Sequence, residues 1–253
     1  MSSRKAPEEL ELESRKQELD ALRAKLVQGE LELATFRAEL DTFEQAYLRA
    51  VGPALAELDA IQARIALIEA ERHPADPSYA QTARHSKAQA NESAAAVAGA
   101  ETSPAGRFQR SDELKSLFRE AAKKLHPDLA VDDEQRSTRT VWMARVNAAY
   151  RSGDGAELRR ILDEWQFAPE AIQGDTVASE LVRAIRSVSQ IRLRLEAIAN
   201  ETETLRRSDV FHLYEAALAA RAEDRDLLAE LRSTLQARLA VAKMRLTEVE
   251  SPQ

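Results

Sequence analysis

The amino-acid sequence predicts an all-α protein in which two long helical arms flank a small helical domain. Three observations favour this class: charged residues make up 31% of the 253-residue chain, only 7 residues are glycine, and large apolar residues recur at steps of three and four over long stretches. With so few glycines, the chain has little material for turn-rich β architecture or for a glycine-rich phosphate loop. We therefore expect helices in both arms and in the domain between them.

Composition also limits the classes of function. The chain has no cysteine, which excludes disulfides, thiolate metal sites, iron–sulfur clusters and cysteine nucleophiles. No apolar run approaches the roughly 18 to 20 residues that span a bilayer, and the first residues lack the apolar core of a secretory signal. The formal net charge of -7 argues against bulk attraction to nucleic acid or anionic lipid. We expect a cytoplasmic protein that binds neither nucleic acid nor membrane.

Residues 8–72 form the first predicted arm, an amphipathic stretch typical of a coiled-coil seam. Its apolar positions are Leu12, Leu19, Leu22, Leu26, Leu33, Phe36, Leu40, Phe43, Tyr47, Ala50, Ala54, Leu58, Ile61, Ile65 and Ile68. Gly52-Pro53 interrupts the run. Because proline removes a backbone donor, a kink or a helix end is expected near Val51. One kinked helix or two consecutive helices fit equally well.

Residues 73–106 form a predicted flexible linker. The segment has three prolines, two glycines, few large apolar side chains and no apolar period. Such a segment buries too little surface to offset the entropy of ordering its backbone. We therefore expect no stable structure between residues 73 and 106.

Residues 175–250 form the second predicted arm, where the three-four spacing returns. The apolar register slips near Arg207, which predicts a break, and Ser208-Asp209 is a good helix start. The two arms pair either within one chain or between two chains as a homodimer, because both arrangements bury the same seam.

Residues 107–166 form the predicted small domain. A helix of about 14 residues is expected to begin at Asp112. Its apolar stripe comprises Leu114, Leu117, Phe118, Ala121 and Leu125, and its basic residues are Lys115, Arg119, Lys123 and Lys124. Pro127 cannot continue the helix and forces His126 out of the helical region, so a His-Pro-Asp turn is expected at the helix end.

Two further amphipathic helices are predicted after a polar loop over residues 129–135. The apolar stripe of the first comprises Trp142, Val146, Ala149 and Tyr150, and that of the second comprises Leu158, Ile161, Leu162 and Trp165. Gly153 and Gly155 separate the two segments. Helices joined by a short loop run antiparallel, so the His-Pro-Asp helix and the Tyr150 helix form a predicted hairpin. The aromatic residues on these stripes are interpreted as core.

A basic helix that ends in Leu-His-Pro-Asp, followed by a loop and a helix with Val-Asn-Ala-Ala-Tyr, resembles the J-domain of DnaJ-type co-chaperones. The resemblance covers Ser111 to Tyr150. The chain departs from the family in three ways. No aromatic-x-x-Leu-Gly signature precedes Asp112, where Phe108 is the one candidate anchor; Leu129-Ala130 replaces the usual Lys and Asn; and the zinc-binding cysteines and the glycine-phenylalanine linker are absent.

The resemblance implies a function. J-domains dock on the nucleotide-binding domain of a DnaK-type chaperone and promote its ATP hydrolysis. Carried over to this chain, the trigger is His126, Pro127 and Asp128, while Lys115, Arg119, Lys123 and Lys124 steer the encounter with an acidic surface. The protein would then be a co-chaperone, not an enzyme, and would need no cofactor or metal.

An alternative function comes from the arms. A coiled-coil scaffolding or oligomerisation protein would keep the J-like helices only for packing and would not stimulate ATP hydrolysis. No catalytic motif accompanies either hypothesis, and His73, His85 and His212 lack metal-ligand spacing.

Overall fold

The computed structural model describes residues 7–102, 111–130, 133–166 and 177–251, and these ranges contain helices and no β-strand. The prediction of an all-α fold is confirmed. The helices of the described ranges are α1 (Pro7–Arg72), α2 (Pro77–Thr102), α3 (Asp112–Leu125), α4 (Asp133–Arg151), α5 (Gly155–Gln166), α6 (Val177–Arg206), α7 (Asp209–Ala222) and α8 (Leu227–Glu250), with a 3₁₀ turn at Pro127–Leu129. Within the described part of the chain, no helix is long and apolar enough to cross a membrane.

The chain divides into two units that do not coincide with the four predicted segments. Unit 1 comprises Met1–Glu39 and Gly106–Ser208, and unit 2 comprises Leu40–Ala105 and Asp209–Gln253. Each predicted arm therefore contributes to both units, and the predicted small domain shares unit 1 with the first part of α1.

Helix α1 passes Gly52-Pro53 without a break, so the helix end considered near Val51 does not occur. A proline inside a helix costs about 3 kcal/mol. Burial of the neighbouring side chains offsets that cost, since Val51 and Leu58 are 1% and 2% exposed. Of the two arrangements compatible with the sequence, the structure has the single helix.

In unit 1, α1 and α6 pack side by side in parallel. Three ion pairs between the two helices join residues that are 164 positions apart in each case: Lys16–Glu180, Glu30–Arg194 and Arg37–Glu201. A constant offset requires parallel helices. The apolar residues of this seam are Leu19, Leu26, Leu33, Val188, Ile191 and Ile198. The predicted heptad stripes are thus paired within the chain, while pairing between chains stays a prediction.

The remainder of unit 1 is the α3–α5 bundle. Phe118 of α3 packs on Tyr150 of α4, with ring centroids 4.7 Å apart, and Arg139 of α4 donates to the carbonyl of Lys124 near the end of α3. These two contacts place the start of α4 beside the end of α3, so the two helices run antiparallel. Three residues of α1 complete the core of this bundle: Val27, Leu31 and Ala34.

The prediction of a structureless linker over residues 73–106 is wrong for Pro77–Thr102, which forms α2 in unit 2. The more buried positions of α2 advance by four and three residues and are Tyr79, Ala83, Ser86, Ala90, Ser93, Val97 and Ala100. These side chains are mostly small, so a search for large apolar residues misses the period. Alanine has the highest intrinsic helix propensity, which also favours α2.

Helix α2 packs antiparallel on the second part of α1. The buried carboxylate of Asp59 accepts hydrogen bonds from Ser93 and Gln89 of α2. Nearer the C-terminal end of α2, a Cβ atom on Gly52 would lie 2.9 Å from Val97 Cγ2. Glycine at position 52 therefore permits the close approach of the two helices.

The second predicted arm is divided into three helices. The break expected near Arg207 is confirmed, because α6 ends at Arg206 and α7 begins at Asp209. A second break, which the sequence did not predict, separates α7 from α8. Asp224 there has a positive φ of 58°, and the Asp226 side chain accepts from the backbone N–H of Ala229 and caps α8.

Glycine-to-alanine substitutions in the two halves of α1 are expected to have opposite effects on stability. A Cβ atom added to Gly29 would lie 3.6 Å or more from Leu195 and Ile198, so alanine fits and should raise the free energy of unfolding by about 0.5–1 kcal/mol. Gly52→Ala meets Val97 and should lower it by about 1–3 kcal/mol. Urea unfolding followed by circular dichroism measures both. Stabilisation by Gly52→Ala would contradict this account of the α1–α2 packing.

Candidate functional site

The candidate site begins with α3, whose ends are fixed locally. Ser111 Oγ accepts a hydrogen bond from the backbone N–H of Leu114 at 3.0 Å and caps the helix. Asp112 and Glu113 occupy the first turn, where the helix dipole favours negative charge, and two lysines occupy the last turn. The predicted helix of 14 residues starting at Asp112 is confirmed.

The His-Pro-Asp sequence forms a tight turn at the end of α3. His126 has φ −62° and ψ 132°, the extended conformation expected before proline. The turn is closed by hydrogen bonds of 3.0 Å from the N–H of Leu129 to the carbonyl of His126 and from the N–H of Ala130 to the carbonyl of Pro127. The backbone N–H of Asp128 also donates to His126 Nδ1 at 3.1 Å. The conformation of the turn is therefore set by its own residues.

His126 is buried, with 3% of its surface exposed. Its Nδ1 atom accepts from the backbone, so the ring proton of the neutral imidazole lies on Nε2. Nε2 donates this proton to Glu30 Oε1 of α1 at 3.0 Å. Both ring nitrogens of His126 are thus engaged by atoms of unit 1.

Glu30 binds Arg194 of α6 as well as His126. Arg194 donates from Nε to Oε1 at 2.7 Å and from Nη2 to Oε2 at 3.2 Å, a two-pronged contact. Burial alone would raise the pKa of Glu30, but the hydrogen bonds from His126 and Arg194 outweigh it and hold the pKa below its ordinary value. We refer to Glu30, His126 and Arg194 as the Glu30 cluster.

The Glu30 cluster continues along the α1–α6 seam. Arg194 Nη1 donates to Glu201 at 2.8 Å, and Glu201 also accepts from Arg37 of α1 at 2.6 Å. Although burial opposes the charge on Arg194, the carboxylates of Glu30 and Glu201 raise its pKa further above the ordinary value. The buried carboxylate of Glu30 and the half-buried guanidinium of Arg194 therefore each have an opposite charge in hydrogen-bond contact.

Asp128 differs from Glu30 in its hydrogen bonding. Its Oδ2 atom is buried and has no hydrogen-bond partner among the described residues, and the same holds for Nε of Arg136. Burial raises the pKa of Asp128, and the nearby charges of His126 and Arg136 lower it by less. The Asp128 carboxylate thus keeps acceptor capacity that the described residues do not use.

The four predicted basic residues of α3 lie beside α1 in two groups. Lys115 and Arg119 line a cavity with carboxylates of α1 at Glu32 and Glu39. Lys123 and Lys124 line a second cavity with Asp20 of α1 and with His126. Of the four, Lys123 is exposed and the other three are half-buried. The structure therefore brings the predicted site residues together on one helix but places part of α1 against them.

Of the three aromatic residues predicted to be core, Tyr150 is buried in the core, and Trp142 and Trp165 are half-buried against it. Tyr150 is fully buried, and its hydroxyl lies 2.8 Å from Thr35 Oγ1 of α1. The rings of Trp142 and Trp165 are in an edge-to-face arrangement, with centroids 6.0 Å apart and an interplanar angle of 74°.

The described residues contain no group of three His, Asp or Glu side chains that could hold a metal ion. His73 stacks on Tyr79, and His85 and His212 are exposed. Phe108, the candidate anchor before α3, lies outside the described residues.

Sequence reasoning finds the turn but not its partners. Glu30 and Arg194 lie 96 and 68 positions from His126 along the chain, and each belongs to one of the two predicted arms. One signal is present: besides the seam leucines, α1 carries a second stripe, Val27, Leu31, Ala34 and Ala38, at steps of four and three. A second stripe indicates that the helix is buried on two sides, and Glu30 lies between its members.

Asp128→Asn is expected to leave the fold intact and to raise its stability at neutral pH. The pKa of Asp128 is raised in the folded protein, so the ionised carboxylate opposes folding at any pH above that pKa. Asparagine removes this cost. The two proteins should converge in stability as the pH falls below the raised pKa and Asp128 becomes protonated.

Thermal unfolding at neutral and acidic pH measures this difference. Asp163→Asn, at an exposed position of α5, is the matched control and should change the stability by less than about 0.5 kcal/mol. A lower melting temperature for Asp128→Asn at neutral pH would contradict the account.

Comparison of the chain with models of known protein families, with curated proteins and with solved structures gives no match. The fold and the site together define an all-α protein whose His-Pro-Asp turn packs against its own first helix.

Proposed function

We propose that the protein is a J-type co-chaperone that docks on a DnaK-type chaperone and stimulates its ATP hydrolysis. The observation that carries the proposal is the α3–turn–α4 unit. A capped basic helix ends in a His-Pro-Asp turn of fixed conformation, and α3 packs antiparallel on α4 through Phe118 and Tyr150.

The residues of the turn have distinct roles in this proposal. Pro127 fixes the backbone, so little conformational entropy is lost when a partner binds. The buried Oδ2 atom of Asp128 has no hydrogen-bond partner among the described residues, so once the turn is uncovered it can accept a charge-assisted hydrogen bond from an arginine of the partner. His126 supplies an imidazole that reaches the partner when it is released from Glu30.

The basic residues of α3 act at longer range. Lys115, Arg119, Lys123 and Lys124 raise the rate of encounter with an acidic surface of the chaperone. That contribution is screened by salt, so stimulation should weaken as ionic strength rises. In this proposal the partner, not this protein, binds and hydrolyses ATP. The partner that we propose is a cytoplasmic DnaK-type chaperone.

Single-turnover ATP hydrolysis by a DnaK-type chaperone tests the proposal. The wild-type protein should accelerate hydrolysis, whereas His126→Gln and Asp128→Asn should not. His85→Gln, at an exposed position of α2, should behave as the wild type. Equal acceleration by wild type, His126→Gln and Asp128→Asn would reject the proposed role of the turn.

The alternative function, a coiled-coil scaffold with an inactive J-like bundle, is favoured by one specific observation. His126 is 3% exposed and is held by Glu30, as a structural residue would be. A scaffold would leave ATP hydrolysis unchanged at every concentration, and its oligomeric state would persist in His126→Gln. Light scattering and the hydrolysis assay on the same two proteins separate the functions.

A further inference from the structure

We propose that residues 20–39 of α1 occupy the chaperone-binding surface of this protein and hold it closed through the Glu30 cluster. This inference rests on the proposed function. In it, the protein carries its own competitor for the partner chaperone, and docking requires α1 to leave α3 and the turn.

The hydrogen bonds of His126 provide the first argument. One ring nitrogen accepts from the backbone N–H of Asp128 and the other donates to Glu30, so neither is available to a partner. The ring is also buried. A second protein reaches the imidazole only after Glu30 has moved.

Charge provides the second argument. The proposed partner surface is acidic, and α1 presents carboxylates to the same basic helix. Glu32 and Glu39 share a cavity with Lys115 and Arg119. Asp20 lines a second cavity with Lys123 and Lys124, but Arg23 of α1 lines it too and lies 3.5 Å from Asp20. The match to an acidic partner surface is therefore carried by Glu32 and Glu39.

The α3–α5 bundle also has a core of its own, which supports the proposal. Phe118, Tyr150, Leu158 and Ile161 are fully buried and come from all three of its helices. The residues that α1 adds are Val27, Leu31 and Ala34. Removal of α1 thus takes away one side of the core and leaves the packing among α3, α4 and α5.

The contact with α1 contains features that weaken it. Gly29 contributes no side chain to the α1–α6 seam. A Cβ atom at this position would make only ordinary van der Waals contacts with Leu195 and Ile198. The adjacent Glu30 and Arg194 are joined by charge rather than by apolar packing. A buried ion pair contributes little net stability but fixes position, because desolvation offsets much of the attraction. A contact of this kind between α1 and the rest of unit 1 fits a closed form from which a binding partner can displace α1.

Chemical modification of histidine with diethyl pyrocarbonate measures the closure without reference to ATP hydrolysis. The chain has 4 histidines, and exposed His85 is the internal reference for buried His126. In the wild type, His126 should react more slowly than His85 by about tenfold or more, and Glu30→Ala and Arg194→Ala should remove most of that protection. Glu11→Ala and Arg192→Ala, at exposed positions of the same two helices, are the matched controls and should keep it.

Hydrogen exchange of the wild type provides a second measurement that needs no variant. Binding of the chaperone should increase amide exchange of residues 20–39, because these residues leave α3. Circular dichroism and the fluorescence of Trp142 and Trp165 establish that each variant is folded.

The outcomes separate the closure from the proposed function. Equal rates for His126 and His85 in the wild type, or unchanged exchange of residues 20–39 on chaperone binding, would overturn the closure. A different result would reject the co-chaperone function and the identity of the partner: neither the wild type nor Glu30→Ala stimulates ATP hydrolysis. If His126 is protected in the wild type and reactive in Glu30→Ala in the same experiments, the burial of the turn by α1 still holds.

Discussion

Phe118→Ala is expected to lower the free energy of unfolding of unit 1 by about 3–5 kcal/mol. Phe118 is fully buried at the centre of the α3–α5 core and packs on Tyr150. Alanine there loses the transfer free energy of the ring and leaves a cavity that neighbouring helices close only in part.

Urea unfolding followed by tryptophan fluorescence isolates this effect, since both tryptophans, Trp142 and Trp165, belong to unit 1. Val141→Ala, at a position of α4 that is 63% exposed, is the matched control and should change stability by less than about 0.5 kcal/mol. A similar loss in both variants would show that the assigned core is incorrect.

Glu30→Ala is expected to destabilise the closed form of unit 1 by about 1–3 kcal/mol, because His126 loses its buried acceptor and the half-buried Arg194 keeps only Glu201 as an acceptor. The double variant Glu30→Leu/Arg194→Met should recover part of this loss, since the arginine that has lost Glu30 is then removed as well. A urea titration of the two variants measures the difference. A double variant that is less stable than Glu30→Ala would contradict the cost assigned to an arginine that has lost Glu30.

The carboxylate of Glu30 also makes the stability of unit 1 depend on pH. The pKa of Glu30 is lowered in the folded protein, so its ionised form contributes stability at neutral pH that is lost as the pH falls through the folded-state pKa. The wild type should therefore lose stability in acid more steeply than Glu30→Ala. Parallel pH profiles for the two proteins would exclude Glu30 as the source.

Local signals explain what the sequence predicted correctly. The bounds of α3 follow from Ser111, which caps its start, and Pro127, which ends it, and both effects act within one turn of the helix. The break after Arg206 likewise follows from a local slip in the apolar register. Residues close in sequence decide these features, so they can be recognised without a tertiary structure.

The missed features depend on residues that are distant in sequence or small. Helix α2 buries alanine and serine against α1, and these residues carry little hydropathy signal. Asp59, which binds two of the α2 side chains, lies 30 and 34 positions away from them. The burial of His126 depends in the same way on Glu30, 96 positions away. Pairs of residues this far apart in sequence come together only when the chain folds, so a single sequence carries no local signal of them.

The central claim is that the His-Pro-Asp turn stimulates a DnaK-type chaperone and that Glu30 restrains it. Single-turnover ATP hydrolysis measured with wild type, Glu30→Ala, His126→Gln and the double variant Glu30→Ala/His126→Gln tests both parts at once. The account predicts stronger stimulation by Glu30→Ala than by wild type, and none by His126→Gln or by the double variant. Stimulation by the double variant equal to that by Glu30→Ala would contradict the account, because the activity released by opening α1 would then not depend on His126.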